Sequence, residues 1–299
     1  MELIWVPIAL LAGLMQALRT AAQKSLNARL STWMTTYVRS LRGLPVLLVH
    51  LWVVCLSTGL GVPELHWEYA FHCASAAICQ VLGTFLLIRL FTLSNFAVGT
   101  MLTKTDVMQA AIIGSVFFSE TITPLGWLAI VLTVAGVTLL SVRRAGSLIS
   151  QGVSAGATMT GLASAFFFCL SYLFLREASL SLADGPAIWR GAWSVVMVTS
   201  IQVAGLGVWL ALHPRERAEF AKLGQVIRPS LFIGVTSAIG SIGWFTAMAM
   251  QNASYVKAVG QVEVIFTVLI STLWFRERIT LPQYAGIATL VVAVLLFVF

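Results

Sequence analysis

Three charged residues stand inside long apolar runs: Lys104, Asp106 and Glu263. On insertion scales a charge near the bilayer centre costs about 2.5–3.5 kcal/mol, so such a group faces a cavity, water or a partner. Asp106 and Glu263 are 157 positions apart, and the same offset joins Gly83 to Gly240 and Asn95 to Asn252. It also lays Phe118-Ser-Glu-Thr-Ile-Thr123 on Phe275-Arg-Glu-Arg-Ile-Thr280. Two carboxylates held close together share a proton near neutral pH. One reading of Asp106 and Glu263 is therefore proton coupling. The other is a buried ion pair with Arg39, Arg190 or Lys104 that only fixes packing.

Further polar residues fall near this pair. Gln109 lies three residues after Asp106 and shares its helix face. Gly260, three before Glu263, leaves room for a ligand or a close helix. Gln261 matches Lys104 under the offset. Lys104, Asp106, Gln261 and Glu263 thus form a candidate ring of both signs, suited to a zwitterion or a polar organic ion. Arg39 and Arg190 read either as snorkelling side chains or as captors of a carboxylate or phosphate. Trp189, Trp193 and Trp244 read as substrate-stacking residues or as interfacial aromatics. Tyr255 and Lys257 are candidates for a gate, and Gln80 for a cavity wall or a helix bridge. Glu120 and Glu277 read chiefly as helix-end structure.

No enzymatic constellation accompanies these residues. His50, His66, His72 and His213 lack partners at metal-ligand spacing, and no nucleophile elbow or phosphate-binding loop occurs. The reading is therefore a non-enzyme, with no cofactor and no metal. The four cysteines, Cys55, Cys73, Cys79 and Cys169, lie in or beside apolar segments and read as small buried hydrophobes.

Composition says what must position the charges. The chain is 59% hydrophobic and 10% charged, with a mean hydropathy of +0.93, against about 25% charged in soluble domains. It reads as a polytopic membrane protein, and its net charge of +7 as loop charge rather than a nucleic-acid footprint. A spanning helix needs about 20 apolar residues. Ten spans are predicted, near 3–23, 32–58, 67–91, 95–118, 123–142, 153–176, 186–212, 229–250, 254–274 and 280–298. The first reads as a membrane helix, not a cleaved leader.

Ten spans divide into two sets of five, and an odd number per set inverts the second copy. Loop charge agrees. Residues 59–67 carry no Lys or Arg, whereas the equivalent loop carries Arg215, Arg217, Lys222 and Arg228. Ser119-Glu120-Thr121 has none, and Arg276-Glu277-Arg278 has two. Arg19, Lys24, Arg29, Arg89, Arg143 and Arg144 are assigned to the same basic face. If that face is cytoplasmic, both termini lie on the non-cytoplasmic side. The fold class is an all-α membrane protein, with ten transmembrane helices as two inverted five-helix repeats over residues 1–145 and 152–299.

An acidic residue in a turn followed by a Gly-dotted apolar helix resembles the EamA-type transporters of the drug/metabolite transporter superfamily. The resemblance is carried by Phe118–Gly126 with Ala135-Gly136-Val137, by Phe275–Thr280 with Ala285-Gly286, and by Tyr37-Val38-Arg39 and Ile188-Trp189-Arg190. The first turn departs from that pattern, with no Arg beside Glu120. The resemblance implies a secondary transporter of small metabolites such as amino acids, often outward, in a bacterial-type inner membrane. The expected partners are a small-molecule substrate, protons as a candidate coupling ion, and membrane lipids, with no nucleic acid; oligomeric state is left open. Lacking an ATP-binding loop, transport would be gradient-driven. Two alternatives stand: a flippase of lipid-linked substrates, which needs a laterally open groove, and a non-transporting scaffold, which needs sealed ion pairs and no central cavity.

Overall fold

A computed structural model of the chain describes residues 3–93, 102–149, 154–182, 185–266, 268 and 281–298. Among the described residues, ten helices have eight residues or more. The first repeat supplies α1 (Trp5–Leu26), α2 (Thr32–Thr58), α3 (Trp67–Leu93), α4 (Asp106–Phe117) and α5 (Pro124–Ile149). The second supplies α6 (Ala155–Ser181), α7 (Ala187–Leu212), α8 (Ile227–Met250), α9 (Ala253–Gly260) and α10 (Leu281–Val298). A short helical segment over 214–222 joins α7 to α8. Of these helices, α2, α3, α6, α7 and α8 are each long and apolar enough to cross a bilayer, and shorter apolar helices lie in α1, α4, α5 and α10.

Local chemistry sets the helix ends. The Ser31 and Ser154 hydroxyls cap α2 and α6 by accepting from the Met34 and Ala157 amides. Gly59 closes α2 at φ 70°, a left-handed conformation that glycine adopts without steric cost. Thr123 caps α5 by accepting from the Gly126 amide, and Pro124 sits in the first turn, where its missing N–H removes no helix bond. α5 continues through Arg143 and Arg144 to Ile149, beyond the span end predicted at 142. All four cysteines are unpaired.

The packing follows the repeat. α3 lies on α6, and α8, its counterpart, lies on α1; α4 lies on α6, and α9 lies on α1. Counterparts also meet directly, α2 with α7, α4 with α9, and α5 with α10, and α8 packs on α2 and α7 as well. Each repeat therefore completes the other. The equivalent glycines Gly83 and Gly240 both sit at helix crossings. A Cβ on Gly83 would stand 3.0 Å from the Phe168 ring on α6, and one on Gly240 would stand 3.4 Å from Met15 on α1. Small residues let helix backbones approach where lipid offers no hydrophobic driving force.

Loop contacts are those of two inverted repeats. Ser31, before α2, donates from its hydroxyl to Glu216 at 2.6 Å and from its amide to Glu219 at 3.1 Å, so the α1–α2 and α7–α8 connections share one end of the bundle. At the other end, Asn252, before α9, donates to the Thr121 carbonyl at 3.0 Å.

Two predicted spans are not continuous helices. α4 begins at Asp106 after a turn at Lys104 and Thr105, and α9 stops at Gly260, followed by a turn at Gln261 and Val262 and a helical stretch at 263–266. In the second break the hydrogen bonds tighten to three-residue spacing: Gln261 to Ala258, Val262 to Val259 and Val264 to Gln261. The 157-residue offset lays one break on the other. Discontinuous helices at matching places in two inverted repeats are where transporters build their sites.

Candidate functional site

The two breaks face each other through α4 and α9. Lys104, at the first, forms an ion pair with Glu263, just past the second. Reciprocally, Lys257 of α9 reaches Asp106, the first residue of α4, with Nζ 3.9 Å from Oδ2. Each carboxylate is thus met by a lysine of the other repeat. The expected pairing of Glu263 with Lys104 is present; the Asp106 partner is Lys257, which sequence position had suggested as a gate. Lys257 is only 2% exposed. Its ammonium lies 4.3 Å from the ring centres of both Tyr172 and Trp244, an aromatic box that attracts a cation while excluding water. Trp244 is held in turn by its indole N–H, which donates to Gln16 at 3.1 Å.

A cavity of about 50 Å³ adjoins these groups. Arg19 and Gln16 of α1, Phe168 and Tyr172 of α6, Lys104, Asp106 and Glu263 all line it. It has room for about three waters, less than an organic metabolite needs. Leu87 and Phe91, near the C-terminal end of α3, also line it. The cavity therefore extends from mid-span toward the end of the bundle that carries the α1–α2 connection.

A second polar cluster lies beside it. Arg39 is 4% exposed, eight residues into α2, so it does not snorkel. It donates to Gln202 of α7 at 3.3 Å and to Gln80 of α3 at 3.4 Å. Gln202 accepts from the Ser40 hydroxyl at 2.7 Å and donates to Gln80 at 2.7 Å. Gln202 also lies in the wall of an apolar groove of about 390 Å³ between α2, α3 and α7, walled by Trp33, Ile78, Val81 and Trp209.

The opposite end is fastened. Glu120 accepts from the Ala253 amide at 2.6 Å and the Ser254 hydroxyl at 2.7 Å, capping α9 from another helix pair. Arg176 stands 3.7 Å from Glu120 and donates to the carbonyls of Met248, at 2.9 Å, and Gln251. Arg190 donates to the Ala249 carbonyl at 3.1 Å. Tyr255 lies here as well, its hydroxyl accepting from the Thr123 amide at 3.0 Å. Glu277 lies outside the described residues.

Of the sequence candidates, Lys104, Asp106 and Glu263 come together at the cavity, with Trp244 one layer behind. Gln261 is buried beside the break, its Oε1 unpartnered among the described residues. Gln109 turns to Thr105, donating to its hydroxyl at 3.3 Å, and does not line the cavity. Arg39 and Gln80 belong to the second cluster. Trp189 packs under Gly185, where an added Cβ would meet its ring at 2.2 Å, and with Arg190 and Tyr255 it stands away from the cavity. Trp193 is half-buried on α7, with its indole N–H unpartnered among the described residues.

Sequence reasoning missed Gln16, Tyr172, Gln202 and, above all, Arg19. Arg19 was counted as a loop charge, but the structure holds it within α1 at 9% exposure. A signal was present: the 157-residue offset that pairs Asp106 with Glu263 also pairs Arg19 with Arg176.

Inverted repeats that exchange ion pairs at two matched helix breaks, beside a polar cavity in an apolar bundle, define a membrane transport protein. The chain belongs to the EamA-like transporter family, whose pattern matches residues 3–142 and again 155–299. It is an integral membrane protein and a transporter of the drug/metabolite type. Among curated proteins none matches its sequence significantly. A solved crystal structure, described only as that of a protein, superposes with a TM-score of 0.71 over 99% of this chain and 97% of its own, at 13% identity. That likeness speaks for the fold alone.

Proposed function

We propose that this chain is a secondary transporter, an exporter or exchanger, of small polar organic metabolites, working by alternating access around the Lys104–Glu263 and Lys257–Asp106 pairs. The supporting observation is the reciprocity of the pairs: each crosses the repeat boundary at a helix break. A substrate carrying a charged group competes with one partner of a pair, and the freed partner binds the substrate. Releasing a cross-repeat bond also frees one repeat to rock against the other. Proton uptake at Glu263 would release Lys104 in the same way, which is how proton coupling fits the geometry. With the basic loops in the cytoplasm, the cavity extends toward the cytoplasmic end and the termini lie outside, in a bacterial-type inner membrane.

The test is a metabolite screen by thermal shift on purified protein, followed by flux of each hit in proteoliposomes with and without a pH gradient. Transport by the wild type, lost in Glu263→Gln, supports the reading. Flux of equal rate and pH dependence in wild type, Glu263→Gln and Asp106→Asn would remove the pairs from the mechanism. A second reading, a flippase of lipid-linked substrates, is favoured by the apolar groove of about 390 Å³ whose wall includes Gln202. It predicts that lipid-linked substrates, not free metabolites, cross.

A further inference from the structure

Arg19 and Arg176 hold equivalent places in the two repeats, and the fold treats them differently. Arg176 is partnered: Glu120 stands 3.7 Å away, and the carbonyls of Met248 and Gln251, at the end of α8, accept from its Nη1. Arg19 makes no hydrogen bond or ion pair among the described residues, and its Nε is buried without a partner. It is 9% exposed and lines the central cavity. A guanidinium cannot shed its charge by deprotonation, so one buried without an anion is strongly destabilising unless something else meets it.

The charges around it sharpen the point. Asp106 and Glu263 are already met by Lys257 and Lys104. Among the described residues lining the cavity or paired to its carboxylates, Arg19 is a third cation against two carboxylates. Its neighbours in the cavity wall, Gln16 and Thr20, add neutral hydrogen-bonding groups, and Phe168 and Tyr172 add ring surface. A planar fork of N–H donors with no internal acceptor matches a carboxylate or phosphate in shape as well as charge.

We propose that Arg19 is the anchor for an acidic group of the transported substrate, so that the substrates are organic anions bearing a carboxylate or phosphate. This rests on the transport reading and narrows it: the anion completes the charge of the centre and occupies in one repeat the place that Glu120 takes against Arg176 in the other. Zwitterions qualify through their carboxylate; organic cations and neutral solutes do not.

The experiment is equilibrium binding to detergent-purified full-length protein at constant ionic strength, using labelled acetate, labelled inorganic phosphate and labelled acetamide, a neutral isostere of acetate. One of the anions is expected to bind saturably and acetamide not to bind. Preference for acetate assigns a carboxylate, and preference for phosphate assigns a phosphate. Arg19→Gln is expected to weaken the preferred anion about 10- to 100-fold, the worth of a charge-assisted hydrogen bond, while Arg19→Lys keeps part of the binding. Acetamide binding as well as acetate, neither anion binding saturably, or unchanged anion binding by Arg19→Gln would overturn the assignment; the first two comparisons use only the wild type and so hold if the variants fail to fold. Proteoliposome flux separates the two layers. Arg19-dependent anion binding without flux of any anion leaves the site and removes transport, whereas flux of neutral or cationic solutes alone leaves transport and removes the site.

Discussion

Lys104 of the first repeat pairs with Glu263 of the second, and the residues two positions from Lys104 and six from Glu263, Asp106 and Lys257, pair in the opposite sense at 3.9 Å. The centre of the bundle is thus a crossed pair of lysine–carboxylate bonds, not the carboxylate–carboxylate contact that the equivalence of Asp106 and Glu263 alone would suggest. Crossing makes the bonds a joint between repeats. Because Lys257–Asp106 is buried and Lys104–Glu263 is only 10% exposed on either side chain, removing one partner leaves a charge in a medium that solvates it poorly.

Single neutralisation at the joint is expected to cost more than double neutralisation. Glu263→Gln or Lys104→Met alone should destabilise by about 3–5 kcal/mol, while the double variant recovers much of this. Thermal melting of the four proteins in detergent forms the cycle. Strictly additive losses would mean that the pair does not couple the repeats.

Lys257 depends on its box as well as on Asp106. Trp244→Leu removes one ring from the ammonium and leaves the Gln16 carbonyl oxygen without its indole donor. A loss of about 1–3 kcal/mol follows. Trp244→Phe, which keeps a ring but not the donor, should lie between. Melting temperatures that rank Leu and Phe equally would leave the ring contact without energetic weight.

Glu120 fastens the end of the bundle opposite the cavity by capping α9 and pairing with Arg176. Glu120→Ala removes both and should destabilise by about 1–2 kcal/mol for the cap alone. It should also loosen that end. A cysteine introduced as Ser254→Cys, buried in this structure, is expected to react faster with a water-soluble maleimide in the Glu120→Ala background. Equal rates would argue against a fastening role.

Gly136 and Gly286 bring α5 and α10 into backbone contact: a Cβ on Gly286 would stand 2.8 Å from the Gly136 carbonyl oxygen. Gly286→Val forces these helices apart and should cost about 1–3 kcal/mol, as overpacking does. The variant's melting temperature reads this directly. Gly156, whose added Cβ would meet nothing within 4 Å, serves as the tolerant control.

Gln202 ties Arg39, Ser40 and Gln80 together. Gln202→Leu keeps the volume but strands those groups, and a loss of about 1–3 kcal/mol is expected. If its only effect is on flux of lipid-linked compounds, with melting unchanged, the groove rather than the cluster is its role.

Much of this was legible because membranes constrain sequences severely. Asp106 and Glu263 stood out because a carboxylate in an apolar run must be accounted for, and Gly83 and Gly240 because the same offset joins them. The breaks at Lys104 and Gln261 were not legible as breaks: neither holds a proline or glycine pair, and the tightening to three-residue spacing is imposed by packing between α4, α9 and their neighbours. Arg19 was hidden for a related reason. A basic residue near the end of an apolar run looks like any loop charge, and only the length of α1 draws it inside.

From residues alone, the chain determines an inverted repeat of ten apolar spans and which acids fall inside apolar runs, since both follow from composition, periodicity and one constant offset. The partners of those acids were decided only by the folded bundle. Helical spacing governs which residues of one helix share a face; whether Glu263 meets Lys104, or Asp106 meets Lys257, depends on how two helices from different repeats cross, and that is settled by the packing of side chains far apart in the chain.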